Sequence, residues 1–200
     1  MIHRLLTHLL LGLLVVAAAL LGSWVRAGEG AYKRTFEAYV VPDVALVNQD
    51  GESVSVQRAF ASDTPVLLDF FFTTCNTICP TLSTSFAHLQ ERLGEHSAVR
   101  LYSVAIDPAH DSPDVLRRYR ERFGARPGWD LLTGAQGDVD RLRKAFAAHT
   151  PNKMAHRPLN FLWSPTERRW VRLEGLIAGS DLLREYRRLP KPAADRAVGH

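Results

Sequence analysis

The sequence predicts an α/β layer fold, in which helices cover both faces of a central sheet. The stretch Val66–Pro80 begins with an apolar run of strand length and ends with both cysteines of the chain. Val99–Ile106 is a second apolar, β-rich run, and apolar residues at helical spacing follow each of the two runs. This alternation of strands and helices is typical of a layered sheet, in which the two runs are neighbouring buried strands.

The composition is that of an ordinary globular chain of one domain, with 46% hydrophobic and 23% charged residues among 200. Lys and Arg number 25 against 21 Asp and Glu, which gives a formal net charge of +4 and a pI of about 9.3. No basic run is interleaved with aromatic residues, so no nucleic-acid partner is expected. The arginines are expected on solvated helix faces, with a mild attraction to anionic lipid or an acidic protein.

Residues 1–27 are expected to be a signal peptide or an N-terminal membrane anchor. The almost wholly apolar stretch Leu9–Val25 follows a short basic segment, and small residues allow cleavage near Ala27. Counted from Leu5, the apolar run approaches the roughly 20 residues that span a bilayer, so a cleaved leader and a retained anchor both stay open. In either case the domain that follows is exported.

Residues 28–37 are predicted as a linker and residues 38–190 as the domain. A β-hairpin opens the domain, with strands Tyr39–Val47 and Ser53–Val56 around a turn that contains Gly. After the first central strand, the predicted elements are a helix from Pro80 to Gly94, the strand Val99–Ile106, a helix at 113–123, a strand at 131–133, a helix at 137–149, a hairpin at 159–163 and 170–173, and a helix at 180–189. Residues 191–200 are predicted as a flexible tail.

Cys75 and Cys79 stand where the central strand passes into a helix, with Pro80 in its first turn. The positive end of a helix lowers the pKa of a nearby thiol and so favours the thiolate. A spacing of four places both sulfurs on one helix face, where they can form a disulfide or grip one soft metal ion. An inert staple is the remaining alternative, although closing so small a loop would stabilise the fold little.

Ligands of such sheets bind beyond the carboxyl ends of the strands, where Thr73–Pro80 and Asp107–Pro113 both leave the sheet. His156 stands just before the predicted strand Leu159–Trp163. If that strand lies beside the central one, His156 reaches the cysteine loop. A histidine that enters a strand is also a common polar cap, so its position alone leaves its role open.

The runs FFFTTC-NTI-CP, SVAIDPAHDSP and GWDLLTG, and His156 five residues before Phe161, resemble the Sco/SenC family. The resemblance spans about residues 38–190, in order and with few gaps. It implies a thioredoxin-like fold with a mixed central sheet and an added N-terminal β-hairpin. Members of the family lie in the mitochondrial inner membrane or the bacterial cell envelope, here facing the periplasm, and help to deliver copper to cytochrome c oxidase.

By the same resemblance, Cys75, Cys79 and His156 match the family's copper ligands, which can hold Cu(I) or Cu(II). The implied partners are the copper-bearing subunit of cytochrome c oxidase or another copper protein, and a thiol reductant, because metal binding needs reduced thiols. The N-terminal segment would attach the protein to the membrane. The family usually has an acidic residue before the histidine and Ser or Thr after it, whereas Ala155 and Arg157 stand here.

The alternative function is that of a thiol–disulfide oxidoreductase, with Cys75 and Cys79 as catalytic residues that keep a partner's cysteines reduced. Pro158 resembles the cis-proline that faces the redox cysteines of thioredoxins, and Asp69 resembles their buried acid. Asp69 could equally point out of its strand into solvent. A third alternative is an interaction module that keeps only the fold. The sequence favours a copper chaperone over an enzyme.

Overall fold

The computed structural model describes residues 32–94 and 98–190, and the expected leader and tail lie outside these ranges. Its strands are β1 (Lys33–Glu37), β2 (Ala45–Asn48), β3 (Ser53–Ser55), β4 (Val66–Phe71), β5 (Arg100–Ala105), β6 (Trp129–Thr133), β7 (Leu159–Ser164) and β8 (Arg169–Glu174). Its α-helices are α1 (Val56–Phe60), α2 (Cys79–Leu93), α3 (Pro113–Arg122), α4 (Gln136–Ala145) and α5 (Gly179–Arg187), and Lys153–Ala155 forms a 3-10 turn. No helix within the described ranges is long and apolar enough to cross a membrane.

All eight strands form one mixed sheet in the order β1-β8-β7-β4-β5-β6-β2-β3. The central strand β4 is buried along its whole length, as expected of a continuous apolar run with helices over both faces. It pairs in parallel with β5 and antiparallel with β7. In this register Asp69 lies opposite Ser103 on one side and Asn160 on the other.

Helices cover both faces of the sheet. Successive side chains of β4 point to opposite faces and all of them are buried, so each face needs a covering layer. On one face Phe71 packs against Tyr119 of α3, whose hydroxyl lies 2.9 Å from the Ser83 hydroxyl of α2. On the other face Phe70 packs against Phe146, the residue that follows α4, and Phe146 contacts Phe60 of α1. The α/β thioredoxin-like prediction is therefore confirmed.

Helix α5 packs closely on α2, which carries the second cysteine at its start. The Ser85 hydroxyl donates to the Ile177 carbonyl at 2.7 Å. A Cβ atom at Gly179 would lie 2.7 Å from the His88 Cβ, so only glycine allows this approach of the two helices.

Several predicted boundaries differ from the structure. The first strand of the hairpin, predicted as Tyr39–Val47, is only Ala45–Asn48. Residues 28–37, predicted as a linker, contain β1, which pairs antiparallel with β8 at the edge of the sheet. Ala59–Thr64, which has the sequence of a linker, begins with the last two residues of α1, and the helix predicted at 137–149 ends at Ala145. The hairpin β2–β3 forms around the predicted turn and extends the sheet beyond β6.

Candidate functional site

The two cysteines lie at the carboxyl end of β4, where a short loop leads into α2. The Cys75 amide donates to the Phe72 carbonyl at 3.1 Å, which turns the chain directly after the strand. The Cys75 sulfur accepts a hydrogen bond from the Cys79 amide at 3.5 Å and lies 3.5 Å from the Thr77 hydroxyl. Both thiols are free and buried, and Cys75 retains an exposed fraction of 6%.

The pKa values of the two thiols are shifted in opposite directions. Burial raises the pKa of Cys75, but hydrogen bonds from the side chains and amides of Cys79 and Thr77 outweigh it and hold this pKa below the ordinary value. Burial raises the pKa of Cys79, and the hydrogen bond and charge of Cys75 raise it further, far above the ordinary value. Cys75 is therefore the more acidic thiol of the pair.

A buried carboxylate on the neighbouring loop holds the start of the cysteine loop. The Asp111 carboxylate accepts hydrogen bonds from the Thr73 amide at 3.2 Å and from the Thr73 hydroxyl. Ser112 then caps α3, since its hydroxyl accepts from the Val115 amide at 3.4 Å. Both loops leave the sheet at the same edge, as the sequence predicts, and Asp111 joins them there.

His156 reaches this edge from a distant part of the chain because β7 lies beside β4. Its Nε2 atom lies 3.7 Å from the Cys79 sulfur and 3.1 Å from the Phe70 carbonyl oxygen. Since a carbonyl only accepts, Nε2 carries the proton of the neutral ring in this arrangement. The ring also meets Phe72 edge-on, at 5.9 Å between centroids.

The imidazole of His156 is held in its neutral form. Burial lowers the pKa of His156 to about 4, and the charge of Arg143 adds to the effect. Arg143 is itself buried in α4, where its guanidinium donates to Asp140 and to the Thr150 carbonyl, each at 3.2 Å. A neutral ring is the form that binds metals.

The structure thus brings Cys75, Cys79 and His156 to one place, but not as a finished metal site. Within residues 32–94 and 98–190, no group of three or more His, Cys, Asp and Glu side chains has the arrangement of a metal site. The proton on Cys79 and the bond from His156 to Phe70 both occupy atoms that a metal would need.

Asp69 of β4 is fully buried, so of the two alternatives the buried acid is the one found and the solvated side chain is excluded. In the described part of the chain its carboxyl oxygens have no hydrogen bond of normal geometry, and neither has the side-chain amide of the facing Asn160. Burial raises the pKa of Asp69 to about 7, although the Ser103 hydroxyl opposes the shift.

Pro158 does not match the thioredoxin pattern, because the described residues contain no cis peptide bond. It precedes β7 with a trans bond, and its carbonyl accepts from the Gly175 amide at 2.9 Å. Pro158 thus shares the position of the thioredoxin proline, before a strand that lies beside the cysteine-bearing strand, but not its cis bond.

The family assignment follows from comparison with known sequences. A sequence model described as SCO1/SenC matches residues 33–175, which include β1 and every residue of the site. The chain belongs to the SCO1/SenC family.

Relatives of this SCO1/SenC chain include the SCO1 protein homolog of Bacillus subtilis (strain 168), which is 34% identical over 114 residues. That match covers 55% of this chain and 58% of the Bacillus subtilis protein, so the chain spans little more than half of its relative's length. The structure of BsSco, described as a Sco-family cytochrome c oxidase assembly protein with a disulfide switch, is 27% identical with a TM-score of 0.65. It covers 76% of this chain and 94% of BsSco.

Bradyrhizobium japonicum ScoI, solved with copper bound, shares the fold of this SCO1/SenC chain. The two have a TM-score of 0.62 at 20% identity, over 76% of this chain and 99% of ScoI.

Several residues around the SCO1/SenC site escape sequence reasoning. The Lys153 ammonium lies 2.5 Å from the Asp107 carboxylate and so ties the turn before His156 to the loop after β5. Arg143 and the Phe70 carbonyl act on His156 only through the tertiary fold. Thr77 alone carries a local signal, since it lies between the two cysteines in sequence.

Proposed function

We propose that this protein binds copper through Cys75, Cys79 and His156 and passes it to a copper site of cytochrome c oxidase at the cell envelope. The observation that supports the proposal best is the 3.7 Å approach of the His156 Nε2 atom to the Cys79 sulfur. It joins two segments that are 77 residues apart in sequence.

The donor set fits copper chemically. Two thiolates and one imidazole form a soft ligand set, which suits Cu(I) and can also hold Cu(II). Copper is here the cargo of the protein and must be released again. A site that rearranges to bind copper can release it when the same rearrangement is reversed.

Each residue has a distinct part in binding. Cys75, whose pKa is lowered, releases its proton more readily than Cys79, whose pKa is raised. His156 is already neutral and must exchange its hydrogen bond to Phe70 for the metal. Binding therefore releases protons and requires both thiols to be reduced, which calls for a thiol reductant as a partner in an oxidising compartment.

The relatives support the same proposal. ScoI holds copper in its structure, and BsSco is described as a cytochrome c oxidase assembly protein. We propose the copper-bearing subunit of that oxidase, or another copper protein, as the recipient. The apolar stretch Leu9–Val25 would place the domain at the membrane, on the periplasmic side.

A copper titration tests this proposal. The fully reduced chain is titrated with Cu(I) in competition with a chromophoric chelator, and one tightly bound copper per chain is expected. His156→Ala should weaken binding by about tenfold or more, because a ligand is lost. His88→Ala is the matched control, since His88 is exposed on α2. Equal affinity of the His156→Ala variant and the parent chain would refute the three-ligand site.

Thiol–disulfide exchange is a second candidate, favoured by the opposite pKa shifts of the two cysteines. The Cys75 thiolate would attack a disulfide of the partner, forming a mixed disulfide and releasing one partner thiolate. Cys79 would then lose its proton and attack the Cys75 sulfur, which forms a Cys75–Cys79 disulfide and releases the second partner thiolate.

The exchange reaction is measured on reduced, metal-free protein with a disulfide peptide as substrate. Stoichiometric reduction that is lost in Cys75→Ser, and a mixed disulfide that accumulates in Cys79→Ser, would support it. No reduction by the parent chain would eliminate it.

A further inference from the structure

An exposed aromatic residue on the edge strand β1 lies between two guanidinium groups. Phe36 has an exposed fraction of 46%. The guanidinium carbon of Arg169 lies 3.7 Å from its ring centroid and that of Arg34 lies 4.4 Å away. The ring is thus held at the surface by cation–π contacts rather than drawn into the core.

This pair of contacts belongs to a larger basic surface. The Arg34 guanidinium binds Glu185 of α5 at 2.7 Å, and Glu185 also binds Arg188 at 2.7 Å. The Thr166 hydroxyl donates to the Pro190 carbonyl at 3.0 Å, which places the β7–β8 turn beside the end of α5. We call this surface the arginine face; it comprises Phe36 and six arginines, Arg34, Arg168, Arg169, Arg184, Arg187 and Arg188.

The arginine face carries a net positive charge. Its carboxylate partners are Glu167 with Arg169, Asp181 with Arg184, and the shared Glu185. Six guanidiniums therefore face three carboxylates, and the exposed Arg184, Arg187 and Arg188 follow one another along the outward side of α5.

The chain enters the domain at this same surface. The Tyr32 hydroxyl donates to Glu185 at 2.7 Å, directly before β1. The apolar stretch Leu9–Val25 ends seven residues earlier, a distance of about 25 Å at most for an extended chain. If that stretch lies in a bilayer, a connection of this length allows the arginine face to reach the lipid headgroups.

We propose that the arginine face lies against an anionic phospholipid bilayer, with Phe36 at the level of the headgroups. Guanidiniums attract anionic headgroups, and an exposed aromatic ring between them adds apolar contact at the interface. The proposal rests on the membrane-anchoring role of residues 9–25 and is independent of copper binding.

A second basic surface lies on α3, and it differs from the arginine face in its exposed hydrophobic residues. Arg117, Arg118 and Arg122 are exposed there. The exposed large hydrophobic residues of the described chain are Phe36, Val40, Met154 and Leu176, none of which is on α3. Arg122 lies 5.6 Å from the centroid of the Phe123 ring, but that ring is only partly exposed. The α3 surface thus lacks an exposed aromatic ring and supplies a charge-matched control.

Photo-crosslinking in nanodiscs tests the proposal. The full chain is reconstituted in discs with or without anionic phosphatidylglycerol, with benzoylphenylalanine in place of Phe36 or of Leu176. The two positions have nearly equal exposed fractions, 46% and 48%. We expect at least about threefold more lipid adduct at position 36 in anionic discs, and a loss of this excess in 0.5 M salt.

Two charge reversals complete the experiment. Arg168→Glu with Arg187→Glu should lower the lipid adduct at position 36 to the level found at position 176. Arg118→Glu with Arg122→Glu should leave it unchanged, although the net charge changes equally. Equal lipid adducts at the two positions, the same yield in neutral and anionic discs, or adducts to protein in place of lipid would overturn the proposal. Copper binding of these variants should match that of the parent chain, whichever outcome is found.

Discussion

The two halves of the candidate site are held in different ways. The cysteine half, Thr73–Cys79, is held by buried hydrogen bonds. Asp111 accepts two hydrogen bonds from Thr73 and is itself inaccessible to solvent. The histidine half, Asn152–Pro158, lies on a 3-10 turn with no buried residue and is tied by ion pairs at the surface.

This difference indicates which half adapts when a ligand binds. Surface ion pairs contribute little free energy and are easily exchanged, whereas a buried carboxylate with its donors is costly to disrupt. We infer that the cysteine half is preorganised and that the histidine half moves. The bond from His156 to Phe70 is the contact that such a movement breaks.

The largest expected effect comes from Asp69 in β4, the strand that leads into the cysteine half. Its pKa is raised from 3.8 to about 7 in the folded chain, so the folded state binds the proton more tightly than the unfolded state. Its contribution to stability is therefore full below pH 4, falls as the pH rises towards 7, and stays low above that. One pKa unit corresponds to about 1.4 kcal/mol, so the rise from 3.8 to about 7 changes the free energy of unfolding by on the order of 4 kcal/mol in total.

Asp69→Asn should remove this pH dependence. Urea unfolding of both proteins between pH 4 and pH 8 measures it, and the difference between the two free energies of unfolding should shift in favour of the variant as the pH rises. Asp114→Asn, at an exposed position of α3, is the control that keeps the parent slope. A constant difference across the pH range would show that Asp69 is not held protonated by the fold.

The second-largest effect is expected from Asp111, whose carboxylate holds the cysteine loop through Thr73. Asp111→Ala leaves the Thr73 amide and hydroxyl without their acceptor, which should cost about 2 kcal/mol. Thermal unfolding should show a Tm lower by roughly 5 °C. Asp114→Ala, which removes an exposed carboxylate, should leave the Tm nearly unchanged. If both variants melt like the parent chain, the hydrogen bonds of Asp111 do not stabilise the cysteine half.

The smallest effect is expected in the histidine half. Lys153→Met breaks the ion pair with Asp107 and should lower the free energy of unfolding by less than about 1 kcal/mol. Because His156 stands just before β7, which pairs with β4 without this ion pair, the copper affinity should fall only a few-fold. Lys153→Arg retains the charge and should behave like the parent chain. A loss as large as that of His156→Ala would mean that the ion pair fixes the histidine half rigidly.

Much of the fold could be predicted from the sequence because its central elements have strong local patterns. The apolar run of β4, the helical spacing after Pro80 and the hairpin β7–β8 each reflect periodicity. The position of His156 beside the cysteines followed from one further step, the pairing of β7 with β4.

The rest depends on contacts between distant residues. Strand β1 has the polar sequence KRTFE, and its place in the sheet comes from pairing with β8 about 140 residues later. The sequence could not show whether Asp69 is buried or exposed, because a single acidic residue in an apolar strand is compatible with both. The ion pair of Lys153 with Asp107 and the hydrogen bond of His156 with Phe70 form only in the folded chain, where the segment before β7 meets β4 and the loop after β5.

X-ray absorption at the copper edge of the loaded, reduced chain tests the central claim most directly. Our account predicts two sulfur neighbours and one imidazole nitrogen per copper. His156→Ala should lose the imidazole contribution alone, and Cys79→Ser should lose one sulfur. A copper environment without sulfur, or one that keeps its imidazole in His156→Ala, would contradict the account.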